Sequence, residues 1–147
     1  MNFFADLAQN RVLEIAILCW LAAQILKVLF DAIRNHRFSF ERMVGAGGMP
    51  SSHSSTVCGL TVAVGRTYGL ASPIFAIAFV IACIVMYDAT GVRRAAGEQA
   101  KVLNRMMQEH DWAEAQRSLK EFLGHTPMEV FAGAILGIVL AFLIPVA

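Results

Sequence analysis

Two histidines, each in a polar stretch beside an apolar segment, are the residues of this chain best suited to chemistry. The first lies in GGMPSSHSS, where Gly48 allows backbone angles that other residues resist. Pro50 favours a helix that begins at Ser51 or Ser52, and the N–H groups and positive dipole end of a helix start attract an anion. His53, in the first turn of that helix, is placed to donate a proton to a phosphate oxygen. The alternative is a loop histidine among serines that only cap the helix.

The second histidine stands at the start of the last apolar segment, in GHTPMEVFAGAILG. Thr126 as N-cap, Pro127 as first helical residue and Glu129 three positions after the cap form a capping box. Glu129 also lies four residues after His125, so its carboxylate could hold one imidazole nitrogen while the other acts as a nucleophile. The local sequence favours the capping role, and the two roles are compatible.

Cations and one acid surround these stretches in the sequence. Lys27 lies inside an apolar segment and precedes Arg34 by seven residues, about two helical turns, so both side chains point to one face. Such a pair suits a phosphate group, although a lysine near the end of a span also snorkels to the surface. Asp88 ends another apolar segment just before Arg93 and Arg94. These three form either a structural ion pair or a phosphate grip in which Asp88 holds one arginine.

The elements that must position these residues are apolar helices. With 57% hydrophobic and 16% charged residues, the 147-residue chain is typical of a small membrane protein, and a net charge of +1 excludes the basic footprint of a nucleic-acid binder. The three cysteines, all in apolar stretches, are predicted to be small buried hydrophobes. A GxxxG spacing in the last segment permits close helix contact. The predicted spans are Val12–Ile33, Ser54–Tyr68, Ala71–Tyr87 and Met128–Ala147.

A polar arm, at about 92–123, separates the third span from the fourth. Apolar residues at helical spacing predict two amphipathic helices there, interrupted near 108–111 and lying along the membrane surface or against the bundle. If the two middle spans form a hairpin, the loop before them and the arm lie on the same side. Both are rich in arginine and lysine, so the positive-inside rule predicts that this face is cytoplasmic. We therefore expect a multi-pass protein of the inner or plasma membrane.

Three stretches, GGMPSSHSS, YDATGVRRAAGEQA and LGHTPMEVFAGAILG, resemble the signatures of the divergent PAP2 family. These are small membrane proteins related to acid phosphatases and vanadium-dependent haloperoxidases. The wider superfamily has the motifs KxxxxxxRP, PSGH and SRxxxxxHxxxD. This chain keeps the lysine-to-arginine spacing of the first, with Asn35 in place of proline. It has PSSH for the second and HxxxE for the third, and Leu119 stands where the third motif has its arginine. The alternatives that could supply this charge are Arg117, Lys120, Arg93 and Arg94.

The resemblance implies one PAP2-like domain over residues 1–147, an all-α membrane bundle of about four short spans with a surface helical arm. It implies a metal-independent phosphatase, without a cofactor, that acts on a lipid phosphate or diphosphate. His125 would form a phosphohistidine, Glu129 would orient it, and His53 would protonate the leaving alkoxide. The implied phosphate-binding residues are Lys27, Arg34, Ser51, Ser52 and Arg93 or Arg94, with Asp88 and Gly48 in support.

Other functions are compatible with parts of the sequence. Loss of the Ser-Arg pair would leave an inactive protein that binds phosphate or lipid headgroups. A transferase of the CDP-alcohol type needs several aspartates around a metal, and only Asp88 is suitably placed. A transporter would carry polar residues through the bundle, whereas here they collect at one face. The expected partners are the lipid substrate and membrane lipids, with no nucleic acid, and a homodimer is one way to close the site.

Overall fold

The computed structural model of the protein describes residues 2–35, 48–109, 119 and 124–146. All regular structure within those residues is helical, with no strand, as the sequence predicted. The helices are α1 (Phe3–Ala8), α2 (Arg11–Asn35), α3 (Ser52–Tyr68), α4 (Pro73–Thr90), α5 (Val92–Glu109) and α6 (Pro127–Leu143).

The outer surface of the bundle is apolar. Among the described residues, the stretches Arg11–Ile33 and Pro73–Met107 are long and apolar enough to cross a membrane, and Pro127–Leu143 is a shorter apolar helix. Large apolar side chains such as Ile25, Ile84 and Phe131 are exposed on these helices. An outer surface of this kind is suited to lipid rather than water. The predicted helical membrane bundle is confirmed, while the crossing of a bilayer by the shorter α3 and α6 stays a prediction.

Helix α3 lies at the centre of the bundle and packs against α2, α4 and α6. Its contact with α6 is unusually close: a Cβ atom on Gly133 would overlap the carbonyl group of Ser51, and one on Gly137 would overlap that of Ser55. These two glycines form the predicted GxxxG contact, which is confirmed because only glycine lets the two backbones approach so closely.

Short side chains also tie the helices together by hydrogen bonds. The hydroxyl group of Ser55 donates to the carbonyl oxygen of Cys19 on α2 (3.0 Å), and that of Thr61 donates to the carbonyl oxygen of Ala78 on α4 (3.2 Å). Cys19 and Cys58 are buried as predicted. The prediction is wrong for Cys83, which is exposed, because α4 packs only one of its faces against the bundle.

The amphipathic arm follows α4 after a single residue, Gly91. Its first helix, α5, is described as far as Glu109, and the predicted interruption near 108–111 lies largely outside the described residues. The side chain of Asn104 is buried and pairs with the backbone of Leu119: its amide nitrogen donates to the carbonyl oxygen (2.9 Å), and its oxygen accepts from the N–H group (2.8 Å). The predicted second helix of the arm lies outside the described residues, apart from Leu119.

Candidate active site

Three helix ends meet at one end of the bundle, because α3, α4 and α6 alternate in direction. The N–H group of Ser51, which precedes α3, donates to the carbonyl oxygen of Glu129 in α6 (3.0 Å). The N–H group of His125, which precedes α6, donates to the carbonyl oxygen of Ala89 in the last turn of α4 (2.9 Å). These two backbone hydrogen bonds bring the two histidine stretches together beside Asp88, which is half-buried.

His125 is buried, with 2% of its surface exposed, and is held by a carboxylate. Its Nδ1 atom lies 3.1 Å from Oε2 of Glu129. The same oxygen accepts a hydrogen bond from the N–H group of Thr126 (3.1 Å), and Thr126 Oγ1 accepts from the N–H group of Glu129 (3.3 Å). Glu129 therefore caps α6 and orients His125 at once. When Nδ1 carries the proton that faces Glu129, Nε2 holds the lone pair and is the nucleophilic atom of the ring.

His53 lies in the first turn of α3 and faces His125. The centroids of the two rings are 5.9 Å apart, with an angle of 66° between their planes. At this separation, both rings can contact one phosphate group. The structure thus brings together the two histidines that the sequence selected, from positions 72 residues apart.

The serines beside His53 are buried and form the start of α3, as the stretch predicted. Ser51 is the N-cap: its Oγ atom accepts from the N–H group of Ser54 (3.4 Å) and from the hydroxyl group of Ser54 (3.0 Å). The hydroxyl group of Ser51 thus serves the cap. What the serine stretch offers an anion is chiefly the N–H groups of the first helical turn, including that of Ser52.

Lys27 is buried in α2, with 2% of its surface exposed. A lysine that snorkels would expose its ammonium group, so this alternative is wrong for Lys27. A Cβ atom on Gly48 would lie 3.2 Å from Cγ and 3.4 Å from Cδ of Lys27, and Gly48 has a φ of +106°. Glycine at this position therefore both turns the chain and leaves room for the lysine stem beside the start of α3.

Sequence reasoning missed two polar residues on the Lys27 face of α2. Gln24 and Asp31 stand three residues before and four residues after Lys27, and both are half-buried. That spacing places them on one face of a helix, so their positions relative to Lys27 were a signal available in the sequence.

The arginines predicted to bind phosphate lie around this end of the bundle. Arg34 belongs to the last turn of α2, and Arg93 and Arg94 belong to the first turn of α5. Arg94 is exposed, and the side chains of Arg34 and Arg93 lie outside what the structure describes. Phosphate binding by Arg34, and by either Arg93 or Arg94, stays a prediction.

Comparisons with known proteins agree with the motifs. The sequence model of the divergent PAP2 family matches residues 8–140, a range that includes both histidines and Lys27. The uncharacterized membrane protein YuiD of Bacillus subtilis (strain 168) is 39% identical over 148 aligned positions, which cover 92% of this chain and 94% of YuiD. No solved structure matches the chain. The protein is therefore a member of the divergent PAP2 family.

Proposed function

We propose that the protein is a metal-independent phosphatase that removes a phosphate group from a lipid phosphate or diphosphate. The observation that carries the proposal is the pair of histidines: His125, buried and held by Glu129 at 3.1 Å, and His53, half-buried and facing it at 5.9 Å between ring centroids. A nucleophile with its orienting carboxylate, and a second imidazole within reach of the same group, are the parts that a phosphohistidine mechanism requires.

In the first proposed step, Nε2 of His125 attacks phosphorus and the bond from phosphorus to the alkoxide oxygen breaks. His53 donates its proton to that oxygen, so the lipid leaves as an alcohol, or as a monophosphate when the substrate is a diphosphate. Glu129 stabilises the positive charge that the His125 ring gains. In the second step His53 takes a proton from water, the water oxygen attacks phosphorus, and the phosphorus–nitrogen bond breaks. Inorganic phosphate leaves, and both histidines return to their starting states.

Phosphoryl transfer depends mainly on positive charge placed around the three equatorial oxygens of the phosphoryl group. Lys27 and the N–H groups at the start of α3 supply such charge on one side in this proposal. Arg34, Arg93 and Arg94 are the candidates for the other side, with Asp88 as a partner that positions one of them. No step requires a metal ion, because the nucleophile is an imidazole and the charge is balanced by side chains.

A lipid substrate fits the location of the candidate site. The histidines lie at the end of a bundle whose outer faces are apolar, where the headgroup of a lipid in the bilayer would meet them. The cytoplasmic orientation of this end is part of the proposal and is supported by the arginine and lysine content of the arm.

The first experiment measures phosphate release by the detergent-purified protein from a panel of lipid phosphates and diphosphates, with EDTA present. We expect release that EDTA leaves unchanged and that falls by about a thousandfold or more in His125→Ala. Met128→Ala is the matched control, because Met128 is exposed in the first turn of the same helix. Equal release by His125→Ala and the wild type would contradict the proposal.

A phosphate-binding protein without turnover is the second candidate function. The observation that favours it is Leu119, which is exposed and stands where the superfamily motif has an arginine. In that case no substrate of the panel would release phosphate, although the folded protein would still bind inorganic phosphate or vanadate.

A further inference from the structure

A cavity of about 580 Å³ lies between α3, α4 and α6, away from the two histidines, and is open on its outer side, where lining residues such as Phe79 and Phe142 are exposed. Cys58, Met86 and Ala134 line the end that is nearer to the histidines, and Arg66 and Phe142 line the far end. Because α3 rises about 1.5 Å per residue, the cavity begins roughly 7 Å beyond His53 and continues for about 12 Å along the helix. Its walls are almost wholly apolar.

We propose that this cavity holds one hydrocarbon chain of the lipid whose phosphate group is held between His53 and His125. The inference rests on the proposed phosphatase function and adds to it where the apolar part of the substrate binds. The candidate site and the cavity share α3, α4 and α6 and follow one another along the same helices. A lipid anchored by its phosphate at the helix ends would extend its chain in this direction.

The size and the walls of the cavity favour a chain over other occupants. A volume of about 580 Å³ is within the range of small-molecule pockets. A polar ligand would lose its hydrogen bonds to water against such walls. A hydrocarbon chain does not meet this obstacle.

Arg66 lies at the far end of the cavity and contacts α6. Its guanidinium group donates to the carbonyl oxygens of Ala141 and Ile144, the latter at 2.8 Å, and lies over the ring of Phe142, 5.8 Å from the centroid. These contacts join the end of α3 to the end of α6. They hold these two helix ends together at the end of the cavity opposite the histidines.

The cavity would add little to the affinity of the protein for its lipid substrate. A hydrocarbon chain leaves an equally apolar bilayer to enter it, so the transfer supplies little driving force. What the cavity would supply is alignment: a chain held along α3 sets the direction from which the phosphate reaches His125, and orientation of that kind raises the rate of reaction. We therefore expect the cavity to raise kcat/KM for long-chain substrates and to leave kcat/KM for short-chain substrates unchanged.

The test compares hexadecyl phosphate with butyl phosphate as substrates of variants that fill the cavity. Cys83→Phe and Ala134→Phe each add a ring to the cavity wall, and Ile84→Phe is the matched control, because Ile84 is exposed on α4 and does not line the cavity. We expect both filling variants to lower kcat/KM for hexadecyl phosphate about tenfold or more and to change it less than about twofold for butyl phosphate. An unchanged long-chain rate, or an equal loss for both substrates, would overturn the proposal.

A second measurement needs no turnover and separates this proposal from the phosphatase itself. Hexadecyl phosphate with a diazirine at mid-chain is photo-crosslinked to the His125→Ala protein, and the labelled peptides are mapped. We expect labels at Met86 and Cys83 that excess hexadecyl phosphate removes and hexadecanol does not. Labels spread over the outer face, Ile84 included, would overturn the cavity assignment. Absence of phosphate release by the wild type, together with competed labels at Met86, would defeat only the phosphatase.

Discussion

Glu129 combines two functions that a pair of substitutions can separate. Glu129→Gln keeps an amide oxygen that can accept the N–H group of Thr126 but removes the negative charge beside His125. We expect turnover to fall about a hundredfold or more, because the imidazolium formed during transfer loses its counter-charge. The free energy of unfolding should change by less than about 1 kcal/mol, because the cap is retained. Phosphate release and thermal unfolding in detergent measure the two effects.

Thr126→Ala is the control for this substitution. It removes the oxygen that accepts the N–H group of Glu129 and leaves the carboxylate beside His125. It should lower stability by about 1 kcal/mol and leave kcat nearly unchanged. A parallel loss of stability and turnover in both variants would mean that Glu129 acts only as a cap.

The residues of the candidate site differ in how far the sequence alone could place them. The capping box at Thr126 and the helix start after Pro50 depend on neighbours within four residues, so local patterns were sufficient. The burial of Lys27 depends on Gly48, which lies 21 residues away in the sequence, and no local rule states which turn of a span is covered. The sequence alone therefore could not decide whether Lys27 snorkels or is buried, and the packing of the folded bundle decides it.

At the scale of helices, the contact between α3 and α6 connects stability with the site. Gly133 packs on the carbonyl group of Ser51, the cap of the helix that carries His53, whereas Gly137 packs one turn further along on Ser55. A methyl group at either position must push the two backbones apart, and overpacking of this kind costs about 1–3 kcal/mol.

Alanine substitutions at these glycines should therefore have different consequences. We expect Gly133→Ala and Gly137→Ala to lower the thermal stability of the detergent-solubilised protein to a similar degree. Gly133→Ala should also lower turnover strongly, because it displaces Ser51 and with it His53. Ile135→Ala, at an exposed position of the same helix, serves as the control. A Gly133→Ala protein with wild-type stability would show that the two helices are further apart than described.

It was harder to predict which face of each helix is buried than to predict which residues form each helix. The positions of the helices in the sequence follow from the apolar runs and from the polar residues between them. The exposed position of Cys83 does not, because a helix in lipid is apolar outside as well as inside, and hydrophobic periodicity then fails to mark the buried face. Small residues marked it better: Ala78, Ala82 and Ala89 form the packed side of α4.

At the scale of the molecule, alternating helix directions place the start of α3, the end of α4 and the start of α6 at one end of the bundle. The sequence allowed this convergence to be predicted, since it needs only the order of the spans. The cavity between α3, α4 and α6 was not predictable, because its volume depends on how far three helices stand apart. The same holds for the contact inside the arm between Asn104 and Leu119, which stand 15 residues apart in the sequence.

Asn104 joins Leu119 to the first helix of the arm, and this contact helps to position His125. Its two hydrogen bonds hold Leu119 against α5. Six residues after Leu119, the N–H group of His125 donates to the carbonyl oxygen of Ala89, so the chain that leads into α6 is fixed at two points. Asn104→Ala releases the first point and leaves intact the start of α3, which is proposed to bind phosphate. We expect kcat to fall about tenfold with KM nearly unchanged, because His125 loses its alignment while the start of α3 still binds the phosphate group of the substrate. Val102→Ala, exposed on the same helix, should change neither constant, and a rise in KM without a change in kcat in Asn104→Ala would assign the arm to substrate binding instead.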